Sequence, residues 1–209
     1  MSGRVITVAQ QKGGSGKTTV AVNLAVEAQS RGLSVAVLDT DPQGSMGRWF
    51  MARLEAVGAP GLEFTTASAW GVGYEVGKLR RAHDLVIVDT PPRADSDLRP
   101  ALREADFVLV PVSASQLDVW ATEAVLDLVA RAGRPALTVL NRARSGTRLS
   151  GEIAAALAAL SAPLASSVLG HRVAYAESLG RGLGVAELSR AGPAAAEIAA
   201  LAAEVAAQG

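Results

Sequence analysis

The sequence predicts an α/β protein built on a mostly parallel, twisted sheet with helices on both faces. Three observations lead there. Short β-branched runs recur along the 209 residues, at Val5–Ala9, Val35–Leu38, Leu85–Val88, Phe107–Val112, Leu137–Leu140 and Ser166–Leu169, and continuously apolar runs suit strands buried on both faces. Stretches with helical spacing lie between them, at Lys17–Ser30, Gln116–Arg131, Arg148–Leu160 and Pro193–Ala207, and this alternation is the pattern of a parallel sheet covered on two sides. A hydrophobic content of 49% supplies one substantial core, so a single domain spanning 1–209 is expected.

The first run leads directly into Gln10-Gln11-Lys12-Gly13-Gly14-Ser15-Gly16-Lys17-Thr18-Thr19, followed by a helical pattern. That is the setting of a phosphate-binding loop. Gly13, Gly14 and Gly16 permit a tight turn that brings backbone N–H groups, Ser15 among them, close to phosphate oxygens, and the helix starting near Lys17 aims its positive end at the same anion. Lys17 is placed to reach the β- and γ-phosphates, Thr18 to ligate Mg²⁺, and Thr19 to donate to the α-phosphate. The general pattern has a glycine where Gln11 stands, and Lys12 is an additional lysine. Lys12 could neutralise phosphate in its own site or, from the rim, reach a nucleotide held by a partner subunit.

The second run ends in Asp39-Thr40-Asp41-Pro42-Gln43-Gly44, and the run at Leu85–Val88 ends in Asp89-Thr90-Pro91-Pro92. Carboxylates at the carboxyl ends of parallel strands flank the loop that follows the first strand. Asp89 is expected to hold Mg²⁺ through water, Asp41 to orient or deprotonate an attacking water, and Asp39 to brace the metal shell or the loop. Leu62–Thr66 reads as a further strand at or near an edge, and Ile153–Gly170 as a buried helix, a turn and a strand. Asn141, after the run at Leu137–Leu140, could pair with adenine or cap a turn; Arg144 stands where guanine-binding proteins carry an acid, which favours ATP over GTP. Arg142–Gly146 and Gly180–Gly184 read as loops, and Trp49, Phe50, Trp70 and Trp120 as core or rim packing.

Composition narrows the chemistry. Twenty basic residues balance twenty acidic ones, so attraction to nucleic acid or anionic lipid must come from a local patch. With no cysteine there is no disulfide, thiolate zinc site, cysteine nucleophile or cysteine-held cluster, and two histidines leave little scope for a histidine metal site. The first apolar run is too short for a signal peptide, so a cytoplasmic location is expected. From Leu128 to Gly151 there are five arginines, including Arg142, Arg144 and Arg148, and no acid; Arg172 follows. This segment is either a DNA-phosphate contact surface or a solvated surface in an arginine-rich chain.

Taken together and in this order, Lys12–Thr19, Asp39–Gly44 and Asp89–Pro92 resemble the deviant Walker A ATPases of the ParA/MinD superfamily, most of all the short ParA-type partition ATPases such as ParF. Pro111–Asp118 and His171–Ser178 are similar to segments of the same branch, and the resemblance covers nearly the whole chain. It implies a single-domain P-loop NTPase that binds ATP and Mg²⁺. Lys12 then touches ATP across a homodimer, Asp41 positions the hydrolytic water, Asp89 serves the Mg²⁺ shell and Asn141 lies at the adenine. The resemblance also implies nonspecific double-stranded DNA binding in the ATP state, with Arg172 the best single contact, and hydrolysis stimulated by a centromere-binding or cargo-adaptor protein on the nucleoid. Membrane targeting is not expected, because Ala194–Glu204 is acidic and weakly apolar. The alternative is an ATP-dependent ligase or synthetase of the same P-loop group acting on a small carboxylate.

Overall fold

In the computed structural model, which describes residues 2–92 and 95–208, six parallel strands form one sheet in the order β3-β2-β4-β1-β5-β6. The strands are β1 (Arg4–Val8), β2 (Val35–Asp39), β3 (Glu63–Thr66), β4 (Leu85–Asp89), β5 (Phe107–Ser113) and β6 (Ala136–Asn141). The helices are α1 (Lys17–Ser30), α2 (Ser45–Val57), α3 (Val72–Ala82), α4 (Asp95–Glu104), α5 (Gln116–Arg131), α6 (Arg148–Ala158), α7 (Val173–Gly180), α8 (Val185–Leu188) and α9 (Pro193–Ala206). The expected doubly covered sheet is present, and Leu62–Thr66 does supply the edge strand.

Alternation within the strands explains why they read as continuous apolar runs. On β1, Ile6 and Val8 join a core cluster with α1 and α9, while Val5 faces the opposite cluster with Val72, Val76 and Leu79 of α3. On β5, Phe107 and Leu109 join the first side, and Val108 and Val110 pack with Val125, Val129 and Leu157 of α5 and α6. Every position of β2 and β4 is buried. Register puts Asp39 opposite Asp89 and Asp89 opposite Val8, so two acids and the start of the loop after β1 emerge side by side. With β1 between β4 and β5, the sheet changes winding direction there, and the crevice at the carboxyl ends opens at that point.

Two expectations are corrected. Ser166–Leu169 is not a strand: the chain makes isolated bridges at Leu164 and Gly170. Between them the Glu204 carboxylate accepts the backbone N–H groups of Ser166 (2.8 Å) and Ser167 (2.6 Å), which are thereby kept from a ladder with β6, while the Leu169 N–H still donates to the Leu140 carbonyl (2.9 Å). Of the four aromatics, Trp49 is buried and Phe50 stacks on Phe64 at 4.8 Å, but Trp70 is 91% exposed and Trp120 is also exposed. The helical pattern carries Trp120 on the outward side of α5, whose inward side is already filled by Val119, Thr122 and Val125.

Candidate functional site

The loop between β1 and α1 adopts a conformation that its glycines make possible. Gly14 has φ 79° and Gly16 φ 92°, both left-handed, and a Cβ on Gly16 would collide with the Asn141 side chain. Gly16 is also the N-cap of α1 and offers no side chain, so the first N–H groups of the helix stay open to an anion. A cavity of about 350 Å³ lies over them, lined by Gly13, Gly14, Gly16, Lys17, Thr18, Thr19, Asp41, Gln43 and Arg142 among others. Ser15 is buried, and its Oγ has no hydrogen-bond partner among the described residues.

The two lysines of the loop part company. Lys17 is buried against the cavity, its Nζ 3.4 Å from the Lys12 carbonyl oxygen; burial lowers its pKa, opposed by the charges of Asp89 and Asp41. Lys12 does not line the cavity. Its side chain, 36% exposed, reaches α5 instead, where Nζ lies 3.0 Å from Asp118 Oδ2. Asp118 is buried and held by Ser115, the N-cap of α5: the Ser115 hydroxyl donates to the Asp118 carboxylate and accepts the Asp118 backbone N–H at 3.2 Å.

Thr18 Oγ1 donates to Asp89 Oδ2 at 2.5 Å, while Asp89 Oδ1 is buried without a hydrogen-bond partner among the described residues. Burial raises the Asp89 pKa to about 7, against the Thr18 hydrogen bond; the Asp39 charge raises it further and the Lys17 charge lowers it. An orphaned carboxylate oxygen next to a threonine hydroxyl fits Mg²⁺, which favours one or two protein oxygens and completes its octahedron with phosphate and water. Among the described residues no group of three His, Cys, Asp or Glu could by itself hold a metal ion.

Asp39 has another job. Its Oδ1 accepts the Asp41 N–H at 2.9 Å and its Oδ2 the Gly47 N–H at 3.3 Å, so the carboxylate braces the Asp41 loop and does not line the cavity. Burial raises its pKa, partly offset by these bonds. Asp41 lines the cavity and accepts the Gln43 N–H at 2.9 Å, a local turn that sets the direction of its carboxylate.

Asn141 is buried at the carboxyl end of β6. Its Nδ2 donates to the Ser15 carbonyl (2.7 Å) and its Oδ1 accepts the Arg142 N–H (2.8 Å), so the amide ties β6 to the phosphate loop. A second cavity, about 200 Å³, adjoins it, lined by Thr19, Asn141, Arg142, Gly170, His171, Arg172, Tyr175 and Ala176. Arg172 is engaged by Glu197 (2.6 Å), which also accepts the Tyr175 hydroxyl (2.8 Å) and the Gly170 N–H (3.0 Å). The structure divides the arginine segment: Arg142, Arg144, Arg148 and Arg172 lie at the carboxyl edge of the sheet with the cavities, whereas Arg131 and Arg134, at the end of α5 and before β6, lie at the opposite edge. Arg148 pairs with Glu152 at 2.6 Å.

Several contributors escaped the sequence reading. Gln10, fully buried, donates to Thr122 Oγ1 on α5 (2.9 Å), and Thr40 Oγ1 and Thr90 Oγ1 donate to the carbonyls of Asp89 and Val8 (2.8 Å each), locking the three strand ends together. For Thr40 and Thr90 the signal was available, since each directly follows a strand-terminal acid.

Comparison with known proteins agrees with this geometry. Residues 6–185 match the model of the CobQ/CobB/MinD/ParA nucleotide binding domain. The chain is 30% identical over 202 residues to the maintenance of carboxysome distribution protein A of Halothiobacillus neapolitanus, covering 92% of this chain and 91% of that one. It is 35% identical over 153 residues to the chromosome-partitioning ATPase Soj of Thermus thermophilus, covering 61% of this chain and 60% of Soj. In fold it is similar to the septum site-determining protein MinD of Pyrococcus horikoshii, complexed with Mg-ADP (TM-score 0.81, 20% identity, 97% of this chain and 95% of that one). It is likewise similar to a Cyanothece McdA variant in complex with ATP (TM-score 0.78, 18% identity, 99% and 97%). With a glycine loop open at a helix N-terminus, acids at the ends of the flanking strands and a family match over most of its length, the chain belongs to the ParA/MinD superfamily of nucleotide-binding partition and positioning ATPases.

Proposed function

We propose that this chain is an ATP-timed switch: with ATP and Mg²⁺ it forms a homodimer, the dimer holds nonspecific double-stranded DNA, and hydrolysis, stimulated by a centromere-binding or cargo-adaptor protein, returns it to the monomer. Its setting is then the nucleoid in the cytoplasm, and its task is to segregate or space a plasmid, a chromosome or a large cargo. The observation that carries this reading is the divergence of the two loop lysines. Lys17 already serves the phosphate cavity, while Lys12 sits outside it at the rim, with its ammonium on α5. A second positive charge outside its own phosphate site is useful to a phosphate held by another copy.

The chain's residues divide the work accordingly. The amides of Gly13 to Thr19 and the Lys17 ammonium receive the β- and γ-phosphates, with the α1 dipole behind them. Thr18 and the free oxygen of Asp89 hold Mg²⁺, which when bound neutralises phosphate oxygens and draws charge from the leaving group. Asp41, on its Asx turn at the cavity wall, orients the attacking water, and Asp39 keeps that turn in place. Asn141 fixes the loop against β6 beside the adenine. Arg144, Arg148 and Arg172, on the nucleotide edge of the fold, contact DNA phosphates without reading bases. Among the described residues no helix is long and apolar enough to cross a membrane. Retention on nonspecific double-stranded DNA, measured with Mg²⁺-ATP and with Mg²⁺-ADP across a salt series, tests the proposal: ATP-dependent retention is expected, and equal retention or none with both nucleotides would contradict it.

A further inference from the structure

We propose that Arg142 is a ligand of the bound nucleotide, its guanidinium meeting the α-phosphate at the ribose junction, and not a DNA contact; this rests on the nucleotide reading of the site.

Arg142 has φ 53° and is the single non-glycine residue with a positive φ among the described residues. A left-handed arginine backbone is costly and persists where its surroundings over-determine it, which is common at ligand sites. Here the constraint is visible on both sides. Asn141 Oδ1 accepts the Arg142 N–H, and Asn141 Nδ2 is itself fixed on the Ser15 carbonyl of the phosphate loop. On the other side Ala143 N donates to the Leu169 carbonyl (3.0 Å) and its own carbonyl accepts the His171 N–H (2.8 Å). The strained residue is therefore clamped between the phosphate loop and the segment entering α7.

Position decides what the side chain meets. The cavity over the phosphate loop and the cavity beside Asn141 share two lining residues, Thr19 and Arg142. A nucleotide with its phosphates in the first and its base in the second must pass between those two residues. Along such a ligand the segment at the crossing is the ribose and α-phosphate, because the loop amides and Lys17 take the distal phosphates. The guanidinium of Arg142 is exposed and has no hydrogen-bond or ion-pair partner among the described residues, whereas Arg148 and Arg172 are engaged by Glu152 and Glu197. A planar donor without an acceptor beside a phosphate path is suited to a charge-assisted contact with that phosphate.

The test is calorimetric titration of the full chain with Mg²⁺-ATP and with Mg²⁺-ADP, for the wild type and for Arg142→Ala, Arg142→Gly and Arg142→Lys. Because both nucleotides carry the α-phosphate, Arg142→Ala and Arg142→Gly are expected to weaken both by the same factor, about tenfold, with Arg142→Lys in between. Glycine accepts the φ of this position, so agreement between the alanine and glycine variants assigns the loss to the side chain, and thermal melting without nucleotide reports on folding. Nucleotide affinity unchanged in Arg142→Gly, or a loss confined to ATP, would overturn the assignment. Unchanged affinity together with reduced DNA retention at saturating nucleotide would return Arg142 to the DNA surface. A wild type that binds neither nucleotide would refute the nucleotide reading itself, before any variant is compared.

Discussion

Lys12 Nζ lies 3.0 Å from Asp118 Oδ2, and this pair spans from the phosphate loop to the first turn of α5 within one chain. If Lys12 serves ATP across a dimer, the pair must open for the dimer to close. Asp118→Asn preserves the shape of the Ser115 cap and removes only the charge. It should tighten ATP-dependent dimerisation about fivefold, the effect of losing one half-exposed ion pair. The same substitution made in Lys12→Ala should change nothing, since the cycle isolates the pairwise contribution. Unaltered or weaker dimerisation in Asp118→Asn, read by sedimentation velocity across a concentration series, contradicts the competition.

Asp41 faces the phosphate cavity with its carboxylate set by the Gln43 N–H, while Asp39 holds its backbone. Asp41→Ala is expected to leave Mg²⁺-ATP affinity within about twofold and to lower turnover by about a hundredfold or more, the scale of losing a water-orienting base. Phosphate release at the wild-type rate would remove Asp41 from the hydrolytic step. Lys17→Ala, by contrast, should lose nucleotide binding itself.

The Asp89 carboxyl, fully buried, has its pKa raised from 3.8 to about 7. A raised folded-state value means that folding favours the protonated form, so this contribution to stability is complete below pH about 4 and is lost as pH rises through about 7. Asp89→Asn imitates the protonated group. Without nucleotide, the variant should therefore melt above the wild type at pH 8, with the gap closing towards pH 4; with Mg²⁺-ATP the order should reverse, because only the wild type keeps the ionisable oxygen proposed to hold the metal. Parallel melting curves at all pH values would remove Asp89 as the source of the effect.

Much of this site was legible because its parts are contiguous in sequence. The loop at Lys12–Thr19 and the acids after β2 and β4 each follow an apolar run, and parallel strands deliver consecutive carboxyl ends to one edge. What could not be read lies far apart in the chain. The Lys12 contact to Asp118 bridges 106 residues and that of Gln10 to Thr122 bridges 112, and neither has a local pattern. The fold shows the same division. α1 and α5 are long and repetitive enough to be seen, but α2 buries only Met46, Trp49 and Arg53. An arginine in a buried stripe reads as polar until Glu187, 134 residues away, is found to satisfy it bidentately. α4 is short and carries Pro100 within it, which masks a helical reading.

The Arg172 guanidinium lies 2.6 Å from the Glu197 carboxylate, and Arg172 also lines the cavity beside Asn141. If it also contacts a DNA phosphate, Arg172→Ala should weaken ATP-dependent DNA retention on all sequences alike and lower the slope of log affinity against log salt by about one unit. An unchanged slope at unchanged nucleotide affinity would confine Arg172 to its ion pair with Glu197 and the cavity beside Asn141.

The most direct test of the switch is sedimentation velocity of the Asp41→Ala chain with Mg²⁺-ATP and with Mg²⁺-ADP, because this variant is expected to hold the triphosphate without consuming it. A dimer with ATP and a monomer with ADP are expected, and Lys12→Ala in the same background should restore the monomer with ATP. A chain that stays monomeric with bound ATP, or that dimerises equally with both nucleotides, would contradict the switch.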